Sequence, residues 1–203
     1  MLNFLKSARP RRLRIVRNGH PALRQKSSPV KEVTDEVRRL AARMVVTMQE
    51  NDVVGVGLAA PQVGVNIRLI VVDTCPDEDS PPPAAPLSPG EVSLNPRMPL
   101  ALVNPEITWA SPETTCCGEG CLSLPGVQGE VTRSARVRLN ATTLDDEVID
   151  VECGGLLARC LQHEIDHLDG VLFIDRASDE EQKAAAPLLK RMEKNELKQL
   201  AKR

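Results

Sequence analysis

From Thr34 onward, Val37, Leu40, Ala41, Met44, Val45 and Met48 recur at spacings of three and four, so they share one helix face. Thr34 suits an N-cap, and the pattern runs out near Asn51. "VVGVGLAAPQVG" (53–64) then breaks all periodicity with three glycines and a proline. The apolar run in "RLIVVD" (68–73) predicts a buried strand, and shorter alternating runs at "LALVNPEIT", "VRLNATT" and "VIDVEC" predict more. "LRIV" (13–16) is a further short strand candidate, followed by a loop holding Gly19, Pro21 and Pro29. Near the C-terminus, "GGLLARCLQHEIDHLDG" reads as a helix. A charged helical tail covers about 178–203, with a Ser178/Glu181 capping box and with Pro187 predicting a kink or a late start.

Between residues 76 and 99 stand eight prolines, a density that argues against both helix and central strand. The segment at about 75–99 therefore reads as a surface excursion between two strands, mobile at its middle, and shortening it should cost little. Residues 1–203 then form one domain with an insertion and a tail. Short strands with a few helices, lacking βαβ regularity, indicate an α+β fold.

Composition narrows the function. A formal charge of −2 gives no general attraction to nucleic acid or anionic membrane. One Trp, two Phe and no Tyr leave little with which to stack bases. No apolar run approaches the roughly 20 residues that span a bilayer. The Arg-rich start lacks a secretory h-region; it could mimic a transit peptide, but it runs directly into "LRIV". Six cysteines at 75, 116, 117, 121, 153 and 160 show no disulfide-scaffold spacing, which favours reduced thiols in the cytoplasm.

The chemistry concentrates in "LQHEIDH" (161–167), which holds two of the three histidines. Histidines at i and i+4 on a helix project from one face and can reach one cation. Glu164, beside the first, is placed to act on water rather than to ligate. The bland alternative is an exposed helix face with two chance histidines. A third ligand is needed. The metzincin position for it is Phe173, His20 is remote in a Pro/Gly loop, and Glu180 and Glu181 look like first-turn residues of the tail helix. A cysteine thiolate remains, and Cys121 in "GEGCLSLPG" has the most suggestive surroundings, although a lone cysteine is more often a small buried hydrophobe.

"GVGLAAPQ" (55–62), "EGCLS" (119–123) and "HEIDH" (163–167) occur in that order and resemble the three signature motifs of peptide deformylases. The similarity covers about residues 12–176, leaving out the Pro-rich segment. The resemblance implies antiparallel β-sheets around a central helix carrying HEIDH. It implies removal of the N-formyl group from the initiator methionine of nascent polypeptides, with release of formate. It implies one metal held by Cys121, His163 and His167. Glu164 would be the general base, with the Gln62 amide and the Leu122 N–H as oxyanion donors. Val56, Gly57, Leu58, Glu119, Gly120, Leu156 and Cys160 would line the substrate site, Gly57 leaving room for substrate backbone. Glu119 is the better candidate for orienting the metal loop, with Arg133 as its partner. Ferrous iron is the metal the family suggests in the cell, with Zn(2+), Ni(2+) or Co(2+) as alternative occupants. The resemblance further implies a cytoplasmic, monomeric enzyme acting on N-formyl-Met peptides, with a ribosome contact left open. Two other readings compete: a small HExxH peptidase, and a binding protein on a decayed enzyme fold.

Overall fold

The computed structural model describes residues 10–50, 55–75 and 86–202. In chain order the elements are α1 (Asp35–Gln49), β1 (Gly57–Ala59), β2 (Leu69–Val72), α2 (Pro89–Leu94), β3 (Leu100–Ala110), β4 (Thr114–Gly120) and β5 (Gln128–Ser134). They continue with β6 (Val137–Thr142), β7 (Val148–Cys153), α3 (Gly155–Leu168) and α4 (Asp179–Leu200). Five strands form one antiparallel sheet in the order β1-β2-β3-β6-β7, and β4 and β5 form a separate hairpin. The fold is α+β, with antiparallel sheets packed about α3.

All four residues of β2 are buried, because the strand has helices on both faces. Ile70 and Val72 pack with Leu102, Leu139, Leu157 and Leu161 in a core between the sheet and α3. Leu69 and Val71 turn the other way and meet Ala41, Met44 and Met48 of α1. Thr34 caps α1 through the Val37 N–H, as its sequence implies. A third core joins Val131 of β5, Leu124 and Val127 to Phe173, Ile174 and Met192 of α4. The HEIDH helix is thus wedged between the two sheets and is buried on nearly every side.

Three sequence expectations change. "LRIV" joins no sheet: its Leu13 N–H donates to Thr47 Oγ1 (2.8 Å) and its Val16 N–H to the Gln62 carbonyl (2.8 Å). The Pro-rich segment does contain a helix. Pro89 occupies the first turn of α2, where no donor is missed, and Ser88 with Glu91 forms a capping box. Leu94 of α2 enters the main core at 2% exposure, so this part of the excursion is not a loose loop. The expected mobile middle falls largely on residues 76–85, outside the described residues. Finally, α4 starts at its Ser178 cap and continues through Pro187, which is exposed so that water can take the freed carbonyl.

The β4–β5 hairpin was not legible as strands. β4 reads "TTCCGEG", six of whose seven residues are solvent-accessible, and it carries no apolar alternation. β5 does alternate, with Gly129, Val131 and Arg133 inward, but one inward position is an arginine.

Candidate metal centre

Cys121 lies immediately after β4, in the turn that leads to β5, while His163 and His167 sit on α3. One ligand atom from each of these three side chains lies within 4.8 Å of the others. Among the described residues this is the one cluster with that geometry. Cys121 Sγ is 3.3 Å from His167 Nε2, and the two imidazoles stand edge to face with centroids 5.0 Å apart. Phe173, which occupies the position where a metzincin carries its third histidine, stacks on His163 instead. The other candidate ligands are engaged elsewhere: His20 Nδ1 accepts from the Ala22 N–H, and Glu181 caps α4 and accepts from the Glu130 N–H.

The side chains behind the cluster fix its protonation. Glu119 Oε2 bonds His163 Nδ1 at 2.8 Å, which leaves Nε2 for a cation. Burial pulls the His163 imidazole down, but hydrogen bonds with Cys121 and Glu119 outweigh it and hold it at about 10. A divalent ion held by this imidazole would take the place of that proton. Burial, reinforced by the charges of His163 and Arg133, drives His167 the other way and keeps it neutral, as a ligand must be. One soft thiolate, two imidazoles and a cavity at their side suit a catalytic zinc or ferrous site, so the donor set fits a metal.

Glu119 is itself held by Arg133 through two bonds (2.6 and 2.9 Å) and by Arg159 (2.7 Å). Burial works against its charge, yet the bonds from His163 and Arg133 keep the carboxyl well below the usual range. Arg133 also reaches Asp166 (2.8 Å), which Arg176 grips in turn. Glu119, Arg133 and Asp166 are buried but paired, the condition under which a buried ion network is tolerated. The expected Glu119–Arg133 pair is therefore present, and the Glu119 carboxylate is engaged by His163, Arg133 and Arg159. Arg159, Asp166 and Arg176 escaped the sequence reading. Asp166 lies inside HEIDH, and its acidic character was the only signal.

A cavity of about 500 Å³ opens beside the cluster. Val56, Gly57, Gln62, Glu119, Gly120, Cys121, Leu122, Leu156, Cys160, His163 and Glu164 line it. His167 lies behind the wall, almost fully buried. Leu58 does not line the cavity: its side chain is fully buried in the core against α1. In a three-residue strand the side chains alternate, so the neighbour of a cavity-facing Gly57 faces away.

Gly57 also makes room inside the protein itself. A Cβ there would stand 2.5 Å from Glu164 Oε1 and 2.8 Å from Cys160 Sγ. The space is filled by the protein's own carboxylate. Glu164 is only 3% exposed, and its Oε2 is buried with no protein partner. Burial pushes its carboxyl up to about 7, against the opposing charges of His163 and Arg133.

Gln62 is held from both ends. Its Oε1 accepts from the Ala59 N–H (2.7 Å), which directs its Nε2 to Cys121 Sγ (3.3 Å). The Ser123 N–H also points at that sulfur (3.4 Å), and the Arg17 guanidinium donates to the Leu122 carbonyl, so the 122–123 peptide is fixed. Arg17 too was invisible in the sequence, being remote from every motif.

A sequence profile of the polypeptide deformylase family matches residues 12–183. A peptide deformylase 2 of Gloeobacter violaceus is 46% identical over 171 residues, covering 84% of this chain and 81% of that protein. The peptide deformylase of Thermotoga maritima superposes with a TM-score of 0.68 at 38% identity, over 82% of this chain and 98% of that one. The enzyme of Synechococcus elongatus in complex with actinonin does so with a TM-score of 0.72 at 39% identity, over 88% and 87%. Profile, sequence relatives and solved structures agree with the geometry: this chain belongs to the peptide deformylases, metal-dependent hydrolases that remove the N-formyl group from nascent polypeptides.

Proposed function

We propose that Cys121, His163 and His167 hold one divalent ion, ferrous in the cell, and that Glu164, Gln62 and the Leu122 N–H act on the formyl amide beside it. The observation that carries this reading is the triad of ligand atoms within 4.8 Å, with Glu164 on the wall of the same cavity. A divalent ion, when bound, supplies Lewis acidity and an acidified water. Glu164, a carboxylate poised near neutrality, would accept a proton from the attacking water and return it to the departing amine. The Gln62 amide, already aimed at the cluster, and the Leu122 N–H donate to the oxygen of the formyl group as it becomes anionic. Val56, Leu156 and Cys160 form an apolar recess for the methionine side chain. Among the described residues β4 pairs only with β5, so its free edge can take the peptide as an added strand, through main-chain bonds indifferent to sequence.

We further assign a cytoplasmic setting to the protein. Six cysteines without a disulfide among the described residues suit a reducing compartment, and no described helix is long and apolar enough to cross a membrane. It is assigned as a monomer.

Anaerobic purification, metal analysis and a formate-release assay on formyl-Met peptides test the reading. One ion per chain and stoichiometric formate are expected, with inhibition by actinonin. Metal-loaded protein that releases no formate, or that cleaves internal peptide bonds, overturns it.

A further inference from the structure

The Pro-rich excursion touches α3 at the end away from the metal, and the contact is specific. The N-cap of α3 is Gly154, which has no side chain to cap with, and its first turn contains no acidic residue. A helix that begins this way leaves its first N–H groups without partners. The excursion supplies what is missing. Ser88 Oγ accepts from the Gly154 N–H at 2.8 Å, accepts from the Glu91 N–H at 3.3 Å, and donates to Glu91 Oε2 at 2.7 Å. A serine hydroxyl can do no more. The Glu91 carboxylate lies over Gly155, where a Cβ would fall 2.5 Å from Oε1, and places a negative charge at the positive end of the helix. Gly90 meets Cys153 with no room for a side chain, and Leu94 anchors α2 in the core beside Leu157 and Ala158.

We propose that Ser88 and Glu91 are positioning residues for the methionine recess: one capping box serves two helices, α2 and the metal-bearing α3. What it positions is the first turn of α3, whose Leu156 and, one turn on, Cys160 form the recess wall. The inserted segment then helps determine side-chain selectivity, while the ligands and Glu164, further along α3 and clamped by the Glu119 network, are not moved. The inference rests on the assignment of this recess to the substrate methionine.

Ser88→Ala, Ser88→Thr and the parent protein are compared by amide exchange at Gly154, metal per chain, affinity for the product peptide Met-Ala-Ser, and KM and kcat on formyl-Met peptides. Ser88→Ala should expose the Gly154 amide to exchange and weaken Met-Ala-Ser binding and KM about three- to tenfold, the scale of a lost cap. Metal content should be unchanged and kcat should stay within about twofold, since the cap is remote from the reacting atoms. Ser88→Thr, which keeps the hydroxyl, should restore all three. Unchanged binding and exchange in Ser88→Ala overturn the proposal, as does a fall in kcat and metal at constant KM. If Ser88→Ala does not fold, Glu91→Gln, similar in shape, should weaken Met-Ala-Ser binding in the same direction, and unaltered binding overturns the proposal. Failure of the parent to release formate is a separate result that sinks the assigned reaction, while the exchange and peptide-binding measurements still judge the cap.

Discussion

Three features of Glu164 suit the general base proposed for it. It is buried, it lacks a partner for one oxygen, and a glycine opposite gives up its side chain to make room. A structural carboxylate in such a place would be a liability, since an unmet buried acceptor costs about 1–3 kcal/mol. Glu164→Gln keeps the shape and the ligands but cannot carry a proton. Turnover should fall by roughly two to four orders of magnitude, the range of a general acid–base residue, while metal per chain stays the same. A variant with near-normal turnover would rule out the assigned role. Gly57→Ala tests the other side of the contact. Its methyl would meet both Glu164 Oε1 and Cys160 Sγ well inside contact distance, so one of them must move. Loss of activity with intact metal content is expected, and full activity would show that the loop can yield without disturbing the base.

At the scale of elements, legibility followed the physics of burial. α1, β2 and α3 were readable because each buries a continuous stripe or run, and burial of that kind leaves a period in the sequence. β4 was not, because it is exposed along nearly its whole length and so carries Thr, Cys and Gly without alternation. The clustering of Cys121, His163 and His167 was legible, since HEIDH has a fixed spacing and the motif around Cys121 completes it. Arg17, Arg159 and Arg176 were not, because their partners lie 105, 40 and 10 residues away and nothing local marks such a pair. Proline density misled for an identifiable reason: Pro89 falls at the one helix position that tolerates it. The correction changes what truncation should do. A cut reaching Ser88 to Leu94 removes a cap and a core side chain, so the expectation of little cost no longer holds there. Leu94→Ala should destabilise the fold by about 2–4 kcal/mol, as for other buried leucines, measured by urea unfolding. A loss below about 1 kcal/mol would show that α2 rests on the domain without being part of it.

For the molecule as a whole, the three proposed ligands come from two parts that share no strand ladder. Cys121 belongs to the β4–β5 hairpin, which forms no ladder with the five-stranded sheet, whereas His163 and His167 belong to the helix packed on that sheet. An ion bound as proposed would therefore add a crosslink between hairpin and α3, beside the Glu119–Arg133–Asp166 bridge that already links them. An ion that binds only the folded chain adds its binding free energy to stability, about 2.7 kcal/mol at a hundredfold excess over Kd. Chelation should accordingly lower the melting temperature by several degrees, and nickel or cobalt should restore it. Cys121→Ser replaces a thiolate with a neutral hydroxyl, a far poorer ligand. In that variant the melting temperature should respond little to either treatment, and metal per chain should collapse. Serine at Cys75, exposed, or at Cys153, buried at the far end of β7, should leave the metal response intact. The iron form should also lose activity in air while nickel or cobalt protects it, since oxygen or peroxide attacks both ferrous ion and thiolate. Should Cys121→Ser keep its metal and its thermal response while another cysteine variant loses both, the crosslink runs elsewhere and the assignment of this cluster fails.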